Sequence, residues 1–369
     1  MGDFRLYHQA ATRLIAGERI YRLEDPHRYL YAPVVTFLFV PFAWLPLGAA
    51  KVAWYAVNVA LTISAIRLSS SLVFAGARPP PGFGVLLFLL TARFVDNNLG
   101  HGQINLVLYW WIVLAYVLAE RNRRALAGCA LATAVVTKLF PIVLVGELVL
   151  RRQWRFAAAT LLAIAGLVVA PYLWWGSEYA DVVAHWLAAL RDQVGHYDVG
   201  NKINQSISAF VHRSFGERQR AATAVVHALF LLPLAHRALQ LGRDRRPEAA
   251  GPRGDALALA LLYATVASPY SWKYYFVDLM LPFAAVLRRL WSERRNQAAA
   301  VLLAVLFLNL VPGTKLFGRG AALQFQIWSF HFLAVAVLFA AIYVWSGRDL
   351  AGRSTSPAKL ALRPAGRTV

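Results

Sequence analysis

Apolar runs of about 17 to 25 residues, separated by short arginine-rich loops, constrain this chain more than any other feature. A run of that length spans a bilayer as a helix, while a transmembrane barrel requires ~10-residue alternating segments, and none is visible. Only 15% of the 369 residues are charged, against about a quarter in a soluble domain. The sequence therefore predicts an all-α polytopic integral membrane protein. It has about nine or ten transmembrane helices, a short amphipathic N-terminal helix and one broken hairpin.

The net charge of +20 looks at first like a nucleic-acid signal. The basic residues sit instead in loops flanking hydrophobic spans: Arg121/Arg123/Arg124, Arg151/Arg152/Arg155, Arg237/Arg243/Arg245/Arg246, Arg288/Arg289/Arg294/Arg295 and Arg348/Arg353. This is the positive-inside pattern, and no basic stripe or motif supports a nucleic-acid partner. Placing these groups in the cytoplasm puts loops 96–103, 176–220, 270–275 and 312–320 outside. Single spans are expected at 52–72, 156–175, 221–241, 256–271, 274–290, 297–311 and 322–345. Residues 125–150 have both ends inside and are too short for two crossings at ~20 residues each. They read as a hairpin broken near Lys138 and Pro141, and a turn at that depth must line a cavity or be buried in protein. Of the short apolar segments 33–47 and 83–95, only one can cross if residues 1–31 are also outside. The charge pattern does not choose between them.

The organisation is then residues 1–31 as an outer segment, 32–345 as the transmembrane domain and 346–369 as a basic, small-residue-rich, disordered cytoplasmic tail. Phe4, Tyr7, Ala11, Leu14 and Ile15 recur at helical spacing, so the first helix is suited to a membrane surface. Cys129 is the one cysteine, which excludes an internal disulfide and cysteine-type metal sites. No phosphate-loop, GxGxxG, HExxH or Ser–His–Asp pattern is present, and the nine histidines show no paired ligand spacing. The residues name no cofactor and leave a divalent-metal requirement open.

Chemistry is expected at the outer face, where carboxylates are few: Asp3, Asp96, Glu178, Asp181, Asp192 and Asp198. A carboxylate there is a natural base for activating a hydroxyl. Glu178 to Asp198 also read as solvated loop charges. Asp96 stands beside the amides Asn97, Asn98 and Gln103, which suit a hydroxylated ligand. Lys138 is a mid-segment cation, costly by a few kcal/mol and so a functional candidate for an anionic phosphate. The alternative is a lysine that snorkels or pairs with Glu147. Asn201 to Ser206 and Ser268 to Tyr275 combine amides, hydroxyls and aromatic faces that suit a sugar, or form an interfacial aromatic belt. Lys315 and Arg319 run against the charge trend and suit a lipid phosphate or headgroup.

Several short motifs, in order, resemble one family. Asp3-Phe4-x-x-Tyr7 and Tyr31-x-Pro33 are followed by Gly102-Gln103-x-Asn105, Lys138-x-x-Pro141, Asn204-Gln205-Ser206 and Ser268-Pro269-x-Ser271-Trp272. The chain is similar over almost its whole length to bacterial polyprenyl-phosphate-sugar-dependent glycosyltransferases of family 87, in the GT-C fold superfamily. The resemblance implies inverting transfer of a mannose-like sugar from a polyprenyl-phosphate donor to a glycan or glycolipid hydroxyl. The reaction takes place on the outer side of the bacterial cytoplasmic membrane, and the implied partners are that donor, the acceptor and membrane lipids. It implies Asp3 as catalytic base, with Asp96 the other candidate from the residues, and Lys138, Lys202 and Arg319 around the donor phosphate. Tyr7, Asn97, Gln103, Asn105, Asn204, Gln205, Ser206, Trp272 and Tyr274 are the expected sugar or acceptor contacts.

Two departures accompany it. The family pattern has a transmembrane helix before the Asp motif, while Met1 lies two residues from Asp3, so that helix is expected to be missing. Tyr274 also stands where the family often has His. The alternatives are a lipid or sugar transporter without catalysis and an inactive truncated paralogue.

Overall fold

The structure, a computed structural model, describes residues 2–195, 198–216, 219–243, 250–291, 295–310 and 314–354. These residues are predominantly helical, with no strand among them. Four stretches are long and apolar enough to cross a membrane by themselves: Leu47–Phe74, Trp154–Val194, Gln219–Arg243 and Phe330–Ala351. Shorter apolar helices, including Asn105–Glu120, Arg124–Thr137, Gly254–Ala267 and Arg295–Asn309, pack among them. The chain is thus an all-α polytopic membrane protein. At 1.5 Å per residue the 28-residue helix Leu47–Phe74 is about 42 Å long, ample for a hydrocarbon core of about 30 Å.

The arginine groups gather at one end of the bundle. Asn122, Arg124, Arg151 and Gln153 line one cavity of about 120 Å³ together with Leu72 and Gly254. At the same end a Cβ on Gly242 would meet the Leu150 carbonyl, and one on Gly347 would meet Arg237. Buried Arg289 bonds Asp255 at 2.6 Å and Asp349 at 3.3 Å. Helices therefore run alternately towards and away from this end, as the charge pattern requires.

That geometry chooses between the two short segments. The Phe83–His101 helix starts at the arginine end, with Phe83 against Phe74 and Trp291, and finishes at Gly102 beside Trp54. Its 19 residues, about 28 Å at 1.5 Å per residue, carry it from the arginine end to the opposite end of the bundle. Pro33–Ala43 stays at the opposite end, beneath the first helix.

The hairpin over 125–150 is confirmed as two helices, Arg124–Thr137 and Ile142–Leu150, whose arginine-bearing ends meet at the shared cavity. Between them Lys138 is extended (φ −147°, ψ 131°) and Pro141 starts the second helix.

Several expectations are corrected. Residues 96–101 belong to the last turns of the Phe83–His101 helix, so the outer loop there shrinks to 102–104. Gly102 closes that helix in the left-handed region (φ 71°), its N–H reaching the Asn98 and Leu99 carbonyls, as a glycine does without Cβ penalty. The polar stretch 176–220 contains the helices Tyr179–Gly195 and Ile207–Phe215. The span at 274–290 begins as a 3-10 run, Lys273–Leu279, before the helix Met280–Arg288. The span at 322–345 is interrupted: Ser329 is left-handed (φ 59°) and the helix Phe330–Ser354 starts after it. That helix carries nine residues of the expected tail, while 355–369 lie outside the described residues.

The first helix, Gly2–Ile15, does not spread its apolar face on lipid. Phe4, Tyr7, Ala10, Ala11 and Leu14 are buried in a second core at the outer end, with Phe39, Trp54 and Ile104. Phe4 stacks on Trp54 at 5.5 Å and Tyr7 lies 4.6 Å from Phe39. Ile15, the other member of the expected stripe, is exposed.

Candidate active site

The packed N-terminal helix brings Asp3 and Tyr7 to the Gly102 turn. Because Gly102 reverses the chain, Gln103 turns back under the helix. Its Nε2 donates to Asp3 Oδ2, and its Oε1 accepts from the Tyr7 hydroxyl at 3.3 Å. Tyr7 shares a further hydrogen bond with the Tyr31 hydroxyl at 3.1 Å. A continuous polar chain thus runs Asp3–Gln103–Tyr7–Tyr31. The Gln103 amide is oriented by the Tyr7 donor, so its NH₂ faces the carboxylate.

Two residues on, Asn105 opens the next helix, and its Oδ1 accepts from Lys138 Nζ at 2.6 Å. The ammonium also sits 4.1 Å from the centroid of Tyr275 and 5.9 Å from that of Tyr31. The extended backbone at Lys138, which breaks the hairpin, frees this side chain to leave its helix. The alternative pairing with Glu147 is overturned: Glu147 bonds Arg151 and the Tyr116 hydroxyl, both at 2.9 Å. Asp3 and buried Asp278 both act on Lys138 by charge, and Asp278 accepts from Thr265 at 3.4 Å. Two buried donors at this wall, Asn105 Nδ2 and Trp272 Nε1, have no partner among the described residues. Trp272, Tyr274 and Tyr275 form an aromatic file with centroid spacings of 5.7 Å and 5.4 Å, and Tyr274 lies 5.8 Å from His101.

The structure therefore brings together Asp3, Tyr7, Gln103, Asn105, Lys138, Trp272 and Tyr274. Tyr31 stood in a quoted motif without a role, and Tyr275 and Asp278 were not singled out as site residues. The doubled tyrosine after Trp272 was the available signal for Tyr275.

Other expected site residues are elsewhere or otherwise occupied. Asp96 is exposed on its helix, with no hydrogen bond or ion pair among the described residues. Asn97 contributes its carbonyl to His101 Nδ1 at 2.8 Å, and Asn98 is buried and bonds the Gln103 carbonyl. Lys202 and Arg319 are exposed and join no contact with Lys138, while the Lys315 side chain lies outside the described residues.

Asn204, Gln205 and Ser206 form a clasp. Asn204 Oδ1 accepts from the backbone N–H of Ser206 and Ser271, and its Nδ2 donates to the Pro269 carbonyl at 2.9 Å. Gln205 N donates to the Ser271 carbonyl, and its Nε2 donates to the Gln326 carbonyl. Ser206 Oγ bonds the Pro269 carbonyl and caps its helix at Ala209 N. The Asn-Gln-Ser and Ser-Pro-x-Ser motifs bond each other, so most polar atoms of these three side chains are engaged within the chain. Asp192, read as a solvated charge, pairs with Arg28.

The profile of glycosyltransferase family 87 matches residues 29–269. A polyprenol-phosphate-mannose-dependent alpha-(1-2)-phosphatidylinositol mannoside mannosyltransferase of Mycobacterium tuberculosis is 29% identical over 289 residues, covering 74% of this chain and 65% of the relative. A protein of the same description from Mycolicibacterium smegmatis is 28% identical, covering 73% and 63%. An alpha-(1->3)-arabinofuranosyltransferase of Mycolicibacterium smegmatis is 31% identical over 222 residues, covering 54% of this chain and 49% of that one. The chain thus spans less than two thirds of the length of these relatives. No solved structure matches it. The family match takes in Tyr31, Gln103, Asn105, Lys138 and the whole Asn204–Ser206 clasp, and it covers more than half of the sequence: this chain belongs to glycosyltransferase family 87.

Proposed function

We propose that the protein transfers a mannose-like sugar from a polyprenyl-phosphate donor to a hydroxyl of a glycan or glycolipid. The acceptor oxygen attacks the anomeric carbon as the bond from that carbon to the phosphate oxygen breaks, with inversion. Asp3 takes the hydroxyl proton, and the polyprenyl phosphate leaves with the bonding pair. Lys138, held by Asn105 and the Tyr275 face, offers positive charge to the developing phosphate. Gln103 donates to one carboxylate oxygen of Asp3 and so leaves the other to accept the proton. The site faces the outer side of the cytoplasmic membrane, opposite the arginine end.

The observation that carries this reading is the junction of a carboxylate and a desolvated cation through Gln103 and Asn105, two residues apart at one turn. The donor class and the mannose-like sugar are supported by the descriptions of the relatives.

The test is transfer of labelled sugar from a panel of polyprenyl-phosphate donors, in membranes carrying wild type, Asp3→Asn or Asp96→Asn. Wild type is expected to transfer mannose. Asp3→Asn should lose about 10² to 10⁴ in rate, the usual worth of a general base. Asp96→Asn should stay near wild type. Full activity in Asp3→Asn removes Asp3 as base, and no transfer from any donor by wild type removes the reading.

A further inference from the structure

The 3-10 run Lys273–Leu279 has two functional faces. Side chains three apart eclipse in such a helix. Tyr275 and Asp278 therefore share the Lys138 side, while Lys273 and Phe276 share another. Phe276 stacks on Phe94 at 5.5 Å and lies 5.5 Å from the ring of His331. Arg93 precedes Phe94 in the chain. The charges that act on His331 are both positive, Arg93 and Lys273, and Arg93 acts on Lys273 as well. His331 is 0% exposed, and its Nδ1 bonds Asn309 Oδ1 at 2.9 Å. His331 Nε2 and Asn309 Nδ2 are buried with no partner among the described residues.

Two cations that act by charge on a fully buried imidazole, with an unmatched amide beside it, form an arrangement that an anion completes. With Asn309 Oδ1 as acceptor, Nδ1 of His331 carries the proton and Nε2 offers a lone pair. A ligand that pairs with all of these groups accepts from Lys273, Arg93 and Asn309 and donates to Nε2. A carboxylate or sulfate does only the first. A singly protonated phosphate monoester does both, through its anionic oxygens and its P–OH. A phosphodiester has no such proton.

We propose that Arg93, Lys273, His331 and Asn309 form a second pocket, on the far face of the 3-10 run from Lys138, that binds a lipid phosphate monoester. This deepens the transfer reading and rests on it: the sugar-bearing donor is a phosphodiester, and the lipid released by transfer is the monoester. The pocket then takes the spent lipid, a step away along the Trp272–Tyr275 file.

The test is binding to the purified full chain in neutral detergent. The probes are undecaprenyl phosphate, phosphatidylinositol as a diester and inorganic phosphate, with thermal unfolding as a check on folding. Undecaprenyl phosphate is expected to bind wild type, and Lys273→Gln and His331→Gln to weaken it by at least about tenfold, a 1.4 kcal/mol change. Lys273→Arg should restore binding to within about threefold, a few tenths of that scale. Should His331→Gln fail to fold, Lys273→Gln against Lys273→Arg decides. Unchanged binding in Lys273→Gln overturns the pocket, while transfer that still depends on Asp3 leaves the transfer reading standing. Equal loss of phosphatidylinositol overturns the monoester assignment. Binding of inorganic phosphate alone overturns the lipid assignment.

Discussion

Lys138 sits at a helix break, donates to a buried amide oxygen and faces an aromatic ring. A lysine at such depth costs about 2.5 to 3.5 kcal/mol on insertion scales, so its partners matter more than its charge alone. Lys138→Met keeps the volume and removes the cation. It is expected to lower transfer by about 10² to 10³, the range for losing one preorganised electrostatic contact, with little change in thermal midpoint. Steady-state transfer and thermal unfolding on the same preparation check both halves.

Asn204 behaves in the opposite way. Its side chain accepts from two buried backbone N–H groups and donates to the Val199 and Pro269 carbonyls, so Asn204→Ala strands the two N–H groups. It should destabilise by roughly 2 to 4 kcal/mol, the cost of a few unsatisfied buried groups. KM of the folded fraction should stay within about twofold, because the polar atoms of this side chain are engaged by the backbone. A change in KM without loss of stability contradicts the clasp.

Lys138 stood out in the sequence as a cation in an apolar segment, and Asn204 as part of an amide-rich run in an outer loop. What each pairs with was not legible, because Asn105 lies 33 residues from Lys138 and Ser271 lies 67 residues from Asn204.

Among elements, the turn at Gly102 does the most with the fewest residues. It ends the Phe83–His101 helix, accepts from Trp54 Nε1 at 3.1 Å and turns Gln103 under Asp3. Gly102→Ala places a Cβ in the left-handed region at a cost of about 1 to 2 kcal/mol. The strain falls on the turn that aims Gln103. Transfer is therefore expected to drop more than the thermal midpoint, and parallel measurement of both tests this.

Helix existence was readable because apolar runs of spanning length admit little else. Helix ends were less so. The polar residues 96–101 look like a loop by composition, yet they extend a helix, because its last turns lie against the packed outer core and its final amides find partners in the chain that follows. Polarity marks where a helix leaves apolar surroundings, and the backbone continues until a residue such as Gly102 stops it.

For the whole molecule, the N-terminal segment is an outer lid fastened by polar links. Arg13 bonds Asp25 at 2.5 Å, Arg28 pairs with Asp192, and Trp186 Nε1 donates to the Leu30 carbonyl at 2.9 Å. The hydrogen bond from Arg13 holds the Asp25 carboxyl below its ordinary range. A depressed folded-state value means that this link stabilises the folded form of the N-terminal segment at neutral pH. Its contribution is lost as the pH falls below about 4, through the folded value. Amide exchange in residues 2–31 should therefore quicken between pH 5 and pH 3, with pH-corrected intrinsic rates, and Asp25→Asn should remove that dependence. Unaltered protection across this range in wild type contradicts the link.

At the largest scale, the sequence alone determined the membrane class, the end that carries the arginines, the broken hairpin and the family. Each follows from patterns local in the chain: the length of an apolar run, the charge of a loop, a proline after a mid-segment lysine. Which short segment runs the length of the bundle, that the first helix packs on protein, and that Asp3 meets Lys138 through Gln103 and Asn105 were decided only by tertiary structure. These depend on the fit of side chains distant in sequence. Hydropathy reports how strongly a face avoids water, and an apolar face is satisfied equally by lipid or by Trp54 and Phe39. Only packing tells the two apart, and only packing separates amides that hold the fold from those that line the site.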